Sequence, residues 1–375
     1  MKNAFFRNVS YFYSVLLKVF ILLFFLELFA FTLYSIHGIF NPEKVRHKWY
    51  PSSSFSNKTN VTPMVWSFVE EVEAWSSEYE YKSFIGWQRK KQTNNNLVNY
   101  SDNNHRVTTP NNTEAKNTIW YLGSSVMWGF GQDDQHTIPS QIAKRFLNYR
   151  HINLAEQGFN TRQSLNKILT YYSEIRPGDI VLTLDGLNEI NSLCEGSSAP
   201  HTHLHNDQFK IKIEEGLTEP LSYLAGFRLN KTYTARLLRK IATVAYAPPP
   251  KPRFRTNGCE KPSTAFKVAQ FMTNNWEAMA AMLESRGAKF ICILQPIPSS
   301  SFYNVPVDDF DTIWQQKLQS TFPILQKEGS KLGCFRDYSR FFDKYVFIDG
   351  VAHLNEHGAK RLSEAFGREI QLLVP

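Results

Sequence analysis

From Ile119 to the C-terminus, short apolar runs alternate with longer amphipathic stretches, and this rhythm restricts the fold more than any other feature of the chain. The spacing predicts strands over 119–122, 151–154, 179–184, 290–294 and 345–348, and helices over about 137–149, 161–175, 264–286, 308–328 and 355–371. Strands separated by helices of this length make right-handed βαβ units, so the sheet is parallel and needs helices on both faces. The expectation is a three-layer α/β/α sandwich around a mainly parallel five-stranded sheet, flavodoxin-like in architecture. With 375 residues, 42% of them hydrophobic, the chain can build a large core.

The N-terminal third reads differently. Val19 to Ile36 is apolar, follows Lys2, Arg7 and Lys18, and is broken by Glu27. Eighteen residues span ~27 Å as a helix, close to the hydrocarbon thickness of a bilayer. A cleaved signal peptide is the rival reading, but no small-x-small cleavage site follows, which favours an uncleaved signal anchor over residues 1–36. The expected location is therefore single-pass in a membrane, with the body of the protein on the extracytoplasmic, periplasmic side. Lys44, Arg46 and Lys48 on the far side oppose that orientation. Residues 37–118 are polar and Asn-rich and read as linker and N-terminal extension, with a short helix around Val65 to Trp75. Asn8, Asn57, Asn60, Asn99, Asn111 and Asn230 begin glycosylation sequons, which an Asn-rich chain also produces by chance.

The formal charge of +8 comes from scattered Lys and Arg, not a basic patch, so nucleic acid is not an expected partner. Residues 192–262 interrupt the strand–helix rhythm. They hold a helical stretch over about 229–245 and the run Pro248 to Pro252, and read as an insertion or lid over the domain 119–371. Within the insertion, His201, His203, His205 and Asp207 could ligate zinc, but without a second ligand pair they read as solvated loop, and no metal is expected. Cys194 and Cys259 bracket the insertion and can pair in an oxidising compartment, whereas Cys292 in its apolar run reads as a buried thiol.

Four short blocks fall at strand ends. The first strand leads into Gly123-Ser124-Ser125-Val126-Met127-Trp128-Gly129, the second into Gly158, the third into Gly186-Leu187-Asn188-Glu189, and the last into Asp349-Gly350-Val351-Ala352-His353. Acyl transfer by serine needs a hydroxyl, a base, a carboxylate that orients the base, and donors for the oxyanion. Each block alone has an ordinary explanation as turn or cap. Their order along the chain, each at the edge where open α/β sheets place sites, points to a serine hydrolase.

These blocks resemble the SGNH hydrolase superfamily, also called GDSL esterases and lipases. Gly123-Ser124-Ser125 is similar to its Gly-Asp-Ser block, Asn153 to Gly158 to its glycine block, Gly186 to Glu189 to its Gly-x-Asn-Asp block, and Asp349 to His353 to its Asp-x-x-His block. The resemblance implies Ser125 as nucleophile, His353 as base then acid, Asp349 as its orienting carboxylate, and Ser125 N–H, Gly158 N–H and Asn188 as oxyanion donors. It implies no cofactor. Ser124 stands where the family has Asp, which leaves Ser124 a formal rival to Ser125, and Asp349 stands four rather than three residues before His353, with Asp343 as fallback. The stretch Trp128 to Ile142 and the Glu-containing anchor resemble membrane-anchored bacterial members of envelope and polysaccharide pathways. The implied function is a serine esterase or acyltransferase acting on an acyl or acetyl ester of a cell-envelope carbohydrate. A lipase or lysophospholipase, and a degenerate domain that binds glycan or scaffolds an assembly, remain as alternatives. The sequence leaves the oligomeric state open.

Overall fold

The computed structural model describes residues 2–40, 62–73, 79–89, 96–194, 233–234, 258–298, 312–342, 346–349 and 351–374. The chain divides into two units, one of residues 1–48 and 209–253, the other of residues 49–208 and 254–375. In the first, α1 (Lys2–Phe40) is a continuous helix. Its stretch Tyr13–Leu33 is long and apolar enough to cross a membrane.

The second unit is built on five parallel strands, β3 (Thr118–Gly123), β4 (Arg150–Asn153), β5 (Ile180–Asp185), β6 (Lys289–Leu294) and β7 (Phe335–Asp337), in the order β4-β3-β5-β6-β7. β3 and β5 are buried along their whole length, as expected for central strands covered on both faces, and they pair directly from Ile119–Ile180 to Gly123–Leu184. The order reverses direction at β3, and the crevice beyond the β3 and β5 carboxyl ends is where such sheets place their sites. α2 (Pro63–Glu73) precedes a separate antiparallel hairpin of β1 (Tyr79–Lys82) and β2 (Gly86–Arg89). In chain order, the sheet's helices are α3 (Ser125–Trp128), α4 (Ile138–Ala143), α5 (Thr161–Leu169), α6 (Leu187–Leu193), α7 (Pro262–Glu284), α8 (Thr312–Gly329) and α9 (Glu356–Gln371).

Local sequence explains the helix starts. The Thr137 hydroxyl accepts the Ser140 N–H, with Pro139 in the first turn of α4. Asn160 and Gln163 form a reciprocal capping box on α5, and Asn355 accepts the Gly358 N–H on α9.

Two expectations change. The fifth strand is Phe335–Asp337, not 345–348. The apolar segment Val346–Ile348 is buried, but its backbone closes a loop through a Phe347–Leu354 bridge instead of extending the sheet. Cys292 is not a free thiol, because β6 and β7 are neighbours and bring it within 5.3 Å, Cα to Cα, of Cys334, to which it is disulfide-bonded. The stretch 37–118, expected as linker and N-terminal extension, carries apolar residues of the core. Val65, Phe68, Val98 and Tyr100 belong to the main hydrophobic core, so the described parts of this polar stretch are laid on the sheet domain through spaced apolar anchors.

Cys194 and Cys259 are disulfide-bonded with Cα atoms 5.1 Å apart, and the Gly258 N–H donates to the Cys194 carbonyl. His201, His203, His205, Asp207 and the fallback Asp343 lie outside the described residues.

Candidate active site

The serine turn starts where β3 can go no further. Gly123 has φ +126°, and a Cβ there would stand 2.5 Å from the Leu184 carbonyl oxygen, so only glycine lets β3 stay paired with β5 to its end. The chain then enters α3, a single turn with Ser125 as its first residue. Gly129 ends it in the left-handed region and returns its N–H to the Ser125 carbonyl at 3.0 Å.

His353 comes from the loop before α9. This loop is closed at its neck by the Ile348 N–H donating to the His353 carbonyl and the Asn355 N–H donating to the Val346 carbonyl, both at 2.9 Å. Inside it, Asp349 Oδ1 accepts the N–H groups of Val351, Ala352 and His353 at 3.0, 3.0 and 3.2 Å. Oδ2 lies 2.5 Å from His353 Nδ1, and Nε2 lies 2.8 Å from Ser125 Oγ. The four-residue separation is thus absorbed by a tight loop folded around the carboxylate. Ser124, by contrast, is buried, and its hydroxyl has no hydrogen-bond partner among the described residues.

Burial by itself would raise the Asp349 carboxyl, but the facing imidazole and the backbone donors outweigh it and hold the group well below the usual carboxylate range. An ionised Asp349 only accepts, so Nδ1 carries a proton and Nε2 is left to accept the Ser125 hydroxyl. The Phe130 ring lies against the imidazole, centroids 4.3 Å apart, and Gln132 Nε2 donates to the Leu354 carbonyl at 2.8 Å. The serine turn and the histidine loop are therefore also joined outside the reacting atoms.

No protein-family model and no curated protein matches this sequence. Among solved structures the chain is similar to TesA, with 14% identity and a TM-score of 0.36 over 68% of this chain and 99% of that one. It is also similar to a carbohydrate acetylesterase family member from Sinorhizobium meliloti, with 13% identity and a TM-score of 0.39 over 69% and 99%. A member of the lipolytic G-D-S-L family from Veillonella parvula shows 12% identity and a TM-score of 0.36 over 68% and 97%.

Asn188 and Gly158 are brought to the same sheet edge. Asn188 Nδ2 gives one hydrogen to the Phe159 carbonyl at 2.7 Å, and an amide nitrogen has a second to offer. Gly158, at φ +80°, takes no protein partner for its N–H among the described residues. The Ser125 N–H opens α3, where the first amides have no intrahelical acceptor.

Glu189 stands where the resembling block has aspartate and reads from sequence as a change outside the chemistry. In the structure it is fully buried and ties together the loops that carry Gly158 and Asn188. Its Oε1 accepts the Thr161 N–H at 2.5 Å, three residues after Gly158, and its Oε2 accepts the Gly186 N–H at 3.1 Å, two residues before Asn188. The signal for this was present, since Glu at the third position of a helix reaches back to the N-cap amide.

Arg106 is the residue that sequence reasoning missed without any signal to find it. It sits in the Asn-rich stretch, is fully buried, and reaches the end of the serine turn. Its Nη1 donates to the Trp128 carbonyl at 3.1 Å and to the Gly129 carbonyl, its Nη2 to the Gln132 carbonyl, and its Nε faces Asp134 at 3.2 Å. A guanidinium on carbonyls at a helix C-terminus completes acceptors that the helix leaves open. The Arg106 and Arg89 guanidiniums both lie over the Trp128 ring, at 4.4 and 4.9 Å from its centroid.

Proposed function

We propose that the protein is a serine esterase of SGNH type that hydrolyses or transfers an acyl group, such as acetyl, on a cell-envelope carbohydrate. The observation that supports this reading is the unbroken chain Asp349–His353–Ser125, at 2.5 and 2.8 Å.

In this mechanism the Ser125 oxygen attacks the ester carbonyl as His353 Nε2 takes its proton. The oxyanion is met by the Ser125 and Gly158 N–H groups and Asn188 Nδ2. The carbonyl–alkoxy bond then breaks, and the leaving oxygen receives the proton from His353, which leaves an acyl-Ser125 ester. Next, His353 deprotonates water or an acceptor hydroxyl, whose oxygen attacks the acyl carbon. Release of Ser125 gives a free acid or a new ester. Asp349 stays ionised throughout and stabilises the imidazolium. The envelope location is supported by the apolar N-terminal helix and by two disulfides, which fit an oxidising compartment.

Labelling with a fluorophosphonate probe tests the reading. The wild-type protein is expected to label and Ser125→Ala to lose the label, with Ser124→Ala retaining it. Persistent labelling of Ser125→Ala would remove Ser125 as nucleophile, and an unlabelled wild type would favour a glycan-binding or scaffold role. A series of model esters then separates an acetyl esterase, fastest on the shortest acyl chain, from a lipase.

A further inference from the structure

The peptide that joins Gln157 to Gly158 carries the N–H that the esterase reading uses as an oxyanion donor, and the carbonyl of that same peptide is already taken. Trp87 Nε1 donates to the Gln157 carbonyl at 3.2 Å. A trans peptide is planar, with its C=O and N–H pointing in opposite directions, so a donor fixed on the carbonyl also fixes the direction of the N–H. This position needs such a constraint. Gly158 sits at φ +80°, and glycine accepts either sign of φ, so rotation of the peptide plane meets little steric resistance from the residue itself.

The donor comes from outside the parallel sheet. Trp87 lies on β2 of the antiparallel hairpin, 70 residues before Gln157. Its indole is buried and meets the Phe159 ring edge to face, with centroids 5.9 Å apart. Ile85, Trp87 and Phe159 form a small apolar cluster of their own, separate from the main core. Both neighbours of Gly158 thus rest on one indole, Gln157 through its carbonyl and Phe159 through its ring. Phe159 extends the hold to the other side-chain donor, because its carbonyl accepts Asn188 Nδ2 at 2.7 Å. Further bonds keep the hairpin and this loop in register. The Arg89 N–H donates to Glu156 Oε2 at 3.0 Å, and Gln163 Nε2 donates to the Ile85 carbonyl at 2.9 Å. Glu156 Oε1 accepts the Gln157 N–H at 2.9 Å, so the backbone of Gln157 is held at both its N–H and its carbonyl.

We infer that Trp87 is a positioning residue for the Gly158 N–H, and that the N-terminal hairpin belongs to the site. Tryptophan suits the task, since its indole offers one N–H that only donates, on a rigid ring that Phe159 packs against. A hydrogen bond on the carbonyl also polarises the peptide, which strengthens its N–H as a donor. The catalytic part of this assignment rests on the esterase reading, whereas the hold on the peptide does not.

Among the 18 glycines, Gly158 alone follows a glutamine, so glutamine labelled with carbon-13 at the carbonyl and glycine labelled with nitrogen-15 isolate this one peptide as a single NMR signal. The detergent-solubilised full chain is used throughout. Trp87→Phe keeps a ring against Phe159 and removes the N–H. Phe84→Ala, at the 90% exposed tip of the same hairpin, is the control. In Trp87→Phe the Gln157 carbonyl carbon is expected to move upfield, as a carbonyl that loses its donor does, and in Phe84→Ala to stay in place, with both variants melting within a few degrees of wild type. On a model ester, kcat of Trp87→Phe is expected to fall roughly tenfold, about the worth of one hydrogen bond. KM stays within twofold, and the pH midpoint of kcat/KM is unchanged because the triad is untouched. An unmoved signal in Trp87→Phe overturns the hold. A moved signal with kcat within twofold of wild type overturns the positioning role, as does a loss of kcat that Phe84→Ala shares. A wild type that neither hydrolyses esters nor takes the fluorophosphonate removes the esterase reading and with it the catalytic role of Trp87, while the signal still decides the hold.

Discussion

Asp349 and Asp185 are both buried carboxylates near the crevice, and burial pushes both upward, yet they end shifted in opposite directions. Asp349 is wrapped by three backbone N–H groups and faces an imidazole, and its carboxyl is held down. Asp185, at the end of β5, accepts only the Thr183 hydroxyl and the Trp276 indole on Oδ2, while Oδ1 has no partner among the described residues. Glu189 stands nearby, and its charge adds to burial in pushing Asp185 up. The donors aimed at a carboxylate, and not its burial, separate a group that can orient a base at neutral pH from one that favours its proton.

The largest expected effect comes from removing the charge where the donors are richest. Asp349→Asn keeps an oxygen for the backbone amides but favours the wrong imidazole tautomer, so kcat is expected to fall by roughly 10⁴-fold, and the stability that the ionised carboxylate contributes at neutral pH is lost with the charge. Asp349→Ala also strips the acceptor from three amides and is expected to lose at least about 2 kcal/mol of stability besides. Steady-state kinetics and urea melts of the two variants test this. Activity near wild type in Asp349→Asn would mean that a backbone contact alone orients His353.

Asp134 lies between the two cases. It accepts Arg106 and both Asn99 nitrogens, yet burial still raises it. Arg106→Leu leaves this carboxylate short of its main partner and frees the carbonyls at the end of the serine turn. The expected loss is about 3–5 kcal/mol in denaturant unfolding, with slower fluorophosphonate labelling of Ser125 in the fraction that remains folded. A melt within about 1 kcal/mol of wild type would show that Arg106 contributes no more to stability than an exposed pair does.

How much of this could be read in advance depended on the kind of constraint. β3, β5 and β6 announce themselves as continuous apolar runs, because a central parallel strand is buried on both faces. β7 does not, since three residues at a sheet edge need no apolar run, and the more apolar 346–348 takes its place in sequence while serving to close the histidine loop. Ser125, Asn188, Gly158 and His353 could be singled out as candidates because the resemblance specifies residue type at strand ends. Asp349 was the doubtful member, as residue counting cannot see a loop curled around its own carboxylate. Arg106 was invisible, because a single buried cation that reaches carbonyls about 22 residues away leaves no period or motif.

Glu189 sharpens the comparison from the other side, since it raises Asp185 while accepting an amide from each of the loops that carry Gly158 and Asn188. Glu189→Gln keeps one acceptor oxygen and removes the charge. The expected outcome is a fall in kcat of roughly tenfold with KM little changed, about the worth of one hydrogen bond that positions the donors. A purely structural role would lower the melting temperature and leave kcat per labelled site intact.

The smallest effect is also the most direct test of the contrast. A depressed carboxylate such as Asp349 contributes stability above its unfolded pKa and loses it as pH falls through the folded value. A raised one such as Asp185 has the opposite sign. The folded state holds its proton more tightly than the unfolded chain, so stability declines as pH rises from near 4 towards the raised folded value. Asp185→Asn removes that ionisation while keeping an oxygen for Thr183 and Trp276. Its melting temperature is expected to exceed wild type by a few degrees at mildly alkaline pH, with the gap closing at pH near 4. Activity is expected within a few-fold of wild type, because Asp185 touches no reacting group. A gap that stays constant across the pH range would show that Asp185 is ionised in the folded protein, and that the two carboxylates differ in surroundings without differing in charge.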